Sequence, residues 1–183
     1  QIWTHDHKVL VVSIDTPRPP LDSSVISQKI SRYWRVSVVE VTGSTQDDLA
    51  ALVARDEAIN GAVLVTEYQS AGRGRLDRTF DAPQSSALLF SLFIEPKREK
   101  NEWSFLPLLA GLVSTLAISE LDPRFTVELK WPNDLQIAGK KLGGIIAQAT
   151  DSGVVIGIGI NVGMNRRELP IELATSLMIE EFG

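Results

Sequence analysis

The chain has no cysteine, which excludes a disulfide framework, a thiolate metal site and a cysteine nucleophile together. Histidine is scarce as well. His5 and His7 stand near the start without a carboxylate cluster at metal-ligand spacing, so they read as exposed side chains and no metal site is expected. No apolar run in the sequence is read as long enough to span a membrane. The first eight residues lack the basic-then-apolar order of a signal peptide. Positive charge is not in excess: 18 Lys+Arg stand against 23 Asp+Glu, a net charge of -5. That balance argues against broad binding to nucleic acid or anionic membranes, and leaves room for a local basic site. What is present is ordinary for one globular domain with a sizeable core: 183 residues, 44% hydrophobic and 22% charged. The chain begins at Gln1 rather than Met, which reads as trimming, and a cytoplasmic setting is expected.

Residues 9–14 are β-branched and strand-like, and residues 16–20 then break the pattern with three prolines. The spacing predicts a helix over 22–34, capped at Asp22 or Ser23, and a strand over 35–41. A second helix opens at Ser44, with Ser44 and Asp47 at capping-box spacing, although Asp is less usual than Glu at the second position. Strands are expected at 62–67 and 87–94, and a long apolar, central helix at 105–121. Strand patterns at 126–131, 135–137, 142–150 and 154–162 are separated by short turns, among them Ala138-Gly139 and Asp151-Ser152-Gly153. A short helix over 171–180 closes the pattern. The fold class that follows is α+β: a mixed, mostly antiparallel sheet with helices packed on one face.

Four segments could carry chemistry. Residues 72–78 hold three arginines and one aspartate in an otherwise acidic chain. Glycine lets the backbone approach a ligand, and arginine offers a fork suited to carboxylate or phosphate. The same stretch also reads as a solvated turn. Lys130-Trp131-Pro132-Asn133-Asp134 reads either as an Asx-type turn or as a polar patch between strands. Lys140-Lys141-Leu142-Gly143-Gly144 reads as a hairpin turn with solvated lysines, or as a strand that points a charge at a ligand beside glycines. Gly157-Ile158-Gly159-Ile160-Asn161 lacks the third glycine and the following helix of a dinucleotide fingerprint, so a Rossmann reading is rejected. Ser44 reads as a helix cap rather than a nucleophile, for no nucleophile elbow or histidine partner accompanies it.

Taken together and in this order, the segments resemble the catalytic core of biotin–protein ligases. The resemblance rests on Ser44-Thr45-Gln46, Gln69, Gly72-Arg73-Gly74-Arg75, Lys130-Trp131-Pro132-Asn133-Asp134, Lys141-Leu142-Gly143-Gly144-Ile145 and Gly157-Ile158-Gly159-Ile160-Asn161. It runs from about residue 35 to the end and implies a fold of the class II synthetase type. It implies a reaction in which biotin and ATP, the latter with Mg2+, give biotinyl-adenylate and pyrophosphate. Biotin then passes to a lysine of a biotin carboxyl carrier domain.

By the same resemblance, Arg73, Arg75 and Lys141 are catalytic. Ser44, Thr45, Gln46, Gln69, Gly72, Arg73, Gly74, Arg75, Lys141, Gly143 and Gly144 line the biotin site. Arg75, Arg78, Phe80, Asn133, Lys141 and Asn161 face the nucleotide. Gln46 stands where the family has Asn, Phe80 where it has Trp, and Leu76-Asp77 interrupt the usual Gly-Arg continuation. Residues 70–78 are expected to be mobile without ligand. A lipoate–protein ligase and a non-catalytic biotinyl-adenylate-binding regulator are the alternatives. No DNA partner is expected, because the residues before Ser44 are too few for a helix-turn-helix domain beside the first strand and helix and the net charge is wrong for one, and no membrane partner is expected either. The resemblance also implies that the small C-terminal barrel domain of complete members lies outside these residues. The chain is expected to act as a monomer or homodimer.

Overall fold

The computed structural model describes residues 18–76 and 78–182. The strand expected at 9–14, His5, His7 and Asp77 lie outside the described residues. Seven strands form one sheet in the order β1-β2-β3-β7-β6-β5-β4. They are β1 (Arg35–Thr42), β2 (Ala62–Gln69), β3 (Ala87–Ile94), β4 (Val127–Lys130), β5 (Asp134–Ile137), β6 (Lys140–Ala149) and β7 (Val154–Asn161). β1 and β2 are parallel and every other pair is antiparallel, as the α+β reading required. The parallel pair needs a crossover, and α2 (Thr45–Ala54) supplies it. From β4 to β7 the chain meanders. Ala138 and Gly139 both have positive φ, 49° and 78°, as a two-residue hairpin turn that follows the strand twist requires.

α1 spans only Ser23–Lys29, capped by Asp22, whose carboxylate accepts from the Ser24 and Val25 amides. Ile30 is already extended, so the helix expected to reach residue 34 ends early. The last helix, α4, covers Leu177–Phe182. The stretch before it instead pairs with β6 through a bridge between Ala174 and Lys141.

Two expectations are corrected. The helices do not share one face of the sheet. Val154, Ile156, Ile158 and Ile160 of β7 pack with Ile118 of α3 (Leu106–Leu121), while Val155 packs with Leu49 and Val53 of α2. Successive strand residues point to opposite faces, so α2 and α3 cover opposite sides. All eight residues of β7 are accordingly buried, which an apolar run without alternation allows.

Nor is α3 central. Only Gly111, Thr115 and Ile118 are buried, and Phe105, Leu109, Leu112, Val113 and Leu116 form an exposed stripe. With the preceding 3-10 turn, Lys100–Leu121 makes a stretch of 22 residues that contains an 18-residue window of mean hydropathy 1.6. By length and composition alone that stretch is long and apolar enough to cross a membrane, contrary to the reading of the sequence. Its inner face lies against β4, β5 and β6.

Candidate functional site

The α2 face of the sheet is thinned where three central strands meet. Gly144 of β6 pairs with Gly159 of β7, which pairs with Leu89 of β3. One row along, Ile146 pairs with Gly157, which pairs with Ser91. Gly144, Gly157 and Gly159 border a cavity of about 380 Å³ above the sheet, within the size range of small-molecule sites.

One end of this cavity is a buried polar network. Ser44 caps α2 by accepting from the Asp47 amide, which sets Thr45 and Gln46 facing the sheet. The Thr45 amide and hydroxyl both donate to Gln69 Oε1, at 2.8 and 3.0 Å. The Thr45 hydroxyl lies 2.9 Å from the Ser91 hydroxyl. Gln46 Nε2 donates to the Val155 carbonyl at 3.0 Å, and Ser91 donates to Gln46 Oε1 at 3.3 Å. The extra methylene of Gln46 relative to Asn is what lets its amide reach β7. The amide oxygen sits close over Gly157, where a β-carbon would come within 2.6 Å of Gln46 Oε1.

The other end is cationic. Arg73, Arg75 and Arg78 come from the loop between β2 and β3, and Lys141 from the start of β6. Arg73 pairs with Asp47 at 2.5 Å, and Lys141 Nζ with Asp134 at 2.9 Å. Arg75 donates to Asn133 Oδ1 at 3.4 Å. Asn133 in turn donates to the Ile145 carbonyl at 2.9 Å, which fixes its side chain on β6. The Lys141 backbone is clamped from outside the sheet. Its amide donates to the Leu173 carbonyl and its carbonyl accepts from the Thr175 amide, both at 2.8 Å. Phe80 closes the cavity with its ring over Gly159. Trp131, largely exposed, stands at the rim. The arrangement suits a ligand with a compact polar end, an apolar middle and an anionic end.

A model of the biotin/lipoate A/B protein ligase family matches residues 38–165. The chain belongs to that family. It is 36% identical over 171 residues to the biotin–[acetyl-CoA-carboxylase] ligase of Mycobacterium tuberculosis, covering 90% of this chain and 64% of that protein. The bifunctional ligase/repressor BirA of Escherichia coli is 32% identical over 153 residues, covering 81% of this chain and 47% of that protein. Among solved structures, the biotin protein ligase from Aquifex aeolicus in complex with biotin and ATP superposes with a TM-score of 0.67 at 35% identity. That match covers 79% of this chain and 60% of that one. The Leishmania major biotin protein ligase in complex with biotinyl-5-AMP gives a TM-score of 0.68 at 26% identity, covering 80% and 65%. The chain thus spans less than two thirds of each of these relatives.

Most of the residues singled out from the sequence come together around the cavity: Ser44, Thr45, Gln46, Gln69, Arg73, Gly74, Arg75, Arg78, Phe80, Asn133, Lys141 and Gly144. Three do not line it. Gly72 borders an adjoining cavity of about 710 Å³, and a β-carbon there would collide with the Phe80 carbonyl. Gly143 turns its missing side chain toward the Gly159 carbonyl rather than the cavity. Asn161 is buried and donates to the Thr175 carbonyl at 2.9 Å, so it braces the segment that clamps Lys141.

At the start of the loop expected to be mobile, the Ser70 and Ala71 amides donate to the Thr42 and Gly43 carbonyls at 2.9 and 2.8 Å. Sequence reasoning passed over Ser91, Asp47 and Asp134 as site residues. For Asp47 a signal existed in the unusual acid at the capping-box position.

Proposed function

We propose that the chain is the catalytic core of a biotin–protein ligase that activates biotin with ATP and transfers it to a lysine of a biotin carboxyl carrier domain. The observation that carries the reading is the convergence of Arg73, Arg75 and Lys141, from two separate elements, on one end of a glycine-floored cavity whose other end is polar. In the first step a carboxylate oxygen of biotin attacks the α-phosphorus of ATP. An O–P bond forms, the bond to pyrophosphate breaks, and biotinyl-adenylate remains. Both reactants are anions. Two unit charges 4 Å apart repel by about 4 kcal/mol at a surface-like dielectric. Arg73, Arg75 and Lys141 offset this repulsion and stabilise charge that develops around phosphorus.

In the second step a carrier lysine amine attacks the carbonyl carbon. The amide forms, AMP leaves and the amine loses a proton. Neither step needs a nucleophile from the protein, in keeping with the absence of cysteine. The Thr45–Gln69–Ser91 network offers a ureido ring donors and acceptors that are already oriented. The cavity that Gly144, Gly157 and Gly159 border offers space for a thioether ring and an aliphatic tail. The Phe80 ring replaces the usual indole as a stacking surface for adenine. Magnesium enters as part of the nucleotide substrate. A cytoplasmic setting, where ATP is supplied, goes with this reaction.

Incubating the chain with biotin, ATP and magnesium, with and without a carrier domain, tests the reading. The expected result is pyrophosphate release that depends on biotin and amide formation that depends on the carrier. Release that depends on lipoate instead would replace it with the lipoate reading. Biotinyl-adenylate formed and held without transfer would point to a regulator.

A further inference from the structure

We propose that Asp47 is a positioning residue that holds the Arg73 guanidinium in place for adenylate formation; the inference rests on the biotin-ligase reading of the same site. Asp47 lies in the first turn of α2, the turn that also supplies Ser44, Thr45 and Gln46 to the polar end of the cavity. At capping-box spacing its carboxylate would reach back to the Ser44 amide. Its Oδ1 instead lies 2.5 Å from Arg73 Nη1. The pair joins the element that presents the polar end to the loop that presents cations at the other end.

The loop is held unevenly. Ser70 and Ala71 are bound to Thr42 and Gly43 through the backbone, and Arg73 is bound to Asp47 through its side chain. Beyond Arg73 the described residues bond mainly to one another: the Gly74 amide donates to the Arg78 carbonyl at 2.7 Å and the Arg78 amide to the Arg75 carbonyl at 3.2 Å. The 3.4 Å contact of Arg75 with Asn133 is their side-chain tie to the sheet. Asp47 therefore marks the last point at which the loop is fastened to α2.

Two effects of the carboxylate oppose each other. It neutralises part of the charge Arg73 offers to the anions, and it fixes where that charge sits. Both side chains are about half exposed, 49% for Arg73 and 53% for Asp47, so solvent screens the neutralisation. Fixing a long, flexible guanidinium matters more, because donors that stabilise a transition state act through placement before the reaction begins. The two possibilities differ in sign. A positioning role makes loss of the carboxylate slow the chemistry, whereas a merely neutralising role makes the same loss speed it and tighten substrate binding.

The test compares D47A, D47E, R73A and the D47A/R73A double variant. Single-turnover pyrophosphate release at saturating biotin and ATP is expected to fall about tenfold in D47A and to recover in part in D47E. In the R73A background D47A is expected to have no further effect, since Asp47 acts through Arg73. Hydrogen exchange on the ligand-free chain is expected to quicken at amides 71–74 in D47A. A rate that rises or stays level in D47A, a full additional loss in the double variant, or unchanged exchange would each overturn the proposal. The exchange comparison needs no activity. If the unaltered chain fails to release pyrophosphate with biotin, the proposed function fails while Asp47's hold on Arg73 is still decided.

Discussion

The ring of Phe80 lies directly over Gly159, where a β-carbon would come within 2.8 to 3.0 Å of three ring carbons. The glycine is therefore part of the aromatic wall and not merely a break in an apolar strand. β7 is fully buried and paired on both sides, so the ring, not the strand, must yield to an added methyl. Gly159→Ala is expected to cost about 1–3 kcal/mol by overpacking. It should also move the ring off the cavity and weaken nucleotide binding. Thermal denaturation with and without ATP checks both parts. Equal ligand-induced stabilisation in the variant would show that the ring position does not matter.

Gln46 and Gly157 make a second interlocked pair, with the amide seated on the glycine and bonded to the Val155 carbonyl. Gln46→Ala removes the partner of a buried carbonyl and of Ser91, an expected loss of about 1–3 kcal/mol. Gln46→Asn restores the family's residue but is one methylene too short to reach Val155. It should lie between the unaltered chain and the alanine variant in urea unfolding. An asparagine variant as stable as the glutamine form would mean that the Val155 bond contributes nothing.

Much of this was legible in the sequence, and the limits have physical causes. Strand period and turn residues gave β3 to the residue and the β4–β7 meander to within a few. The Ser44 cap followed from local chemistry. The placement of α3 did not, because leucine and valine occur around most of its circumference and no stripe marks the inner face. Asp134, Ser91 and Asp47 join the site through pairings that no local pattern carries, although the acid at the capping-box position marked Asp47 as unusual. Asp134 pairs with Gly144 across β5 and β6, beside a register shift that brings it to Lys141. Ser91 pairs with Gly157 across β3 and β7. Asp47 meets Arg73 only because the β2–β3 loop folds back along α2. Asn161 shows the reverse case: the motif was visible, but its side chain holds Thr175 rather than facing the cavity.

Leu76 carries a φ of 55° and is 81% exposed at the tip of the arginine loop. A leucine in the left-handed region is strained by about 1–2 kcal/mol, whereas asparagine tolerates it. Nothing is gained from burial at such a position. Leu76→Asn is expected to stabilise the chain by about 0.5–1 kcal/mol and to leave the arginines in place. Urea unfolding measures the first effect. Biotin-dependent pyrophosphate release within about twofold of the unaltered chain checks the second. A fall in stability would mean that the leucine side chain makes a contact worth more than the strain.

Adjacent residues of α3 should respond in opposite ways. A β-carbon at Gly111 would come within 2.6 Å of Leu129 Cδ1 and 3.3 Å of Ile145 Cδ1, in the layer between helix and sheet. Leu112, one position on, is 51% exposed. Gly111→Ala adds helix propensity worth about 1 kcal/mol, but overpacking costs about 1–3 kcal/mol, so a net loss is expected. Leu112→Gln exchanges one good helix former for another on an open surface and should stay within about 0.5 kcal/mol. Thermal unfolding of the two variants of this chain separates the faces. A large loss from Leu112→Gln would show that the exposed stripe is covered in solution, and sedimentation of the unaltered chain would then tell whether a second copy covers it.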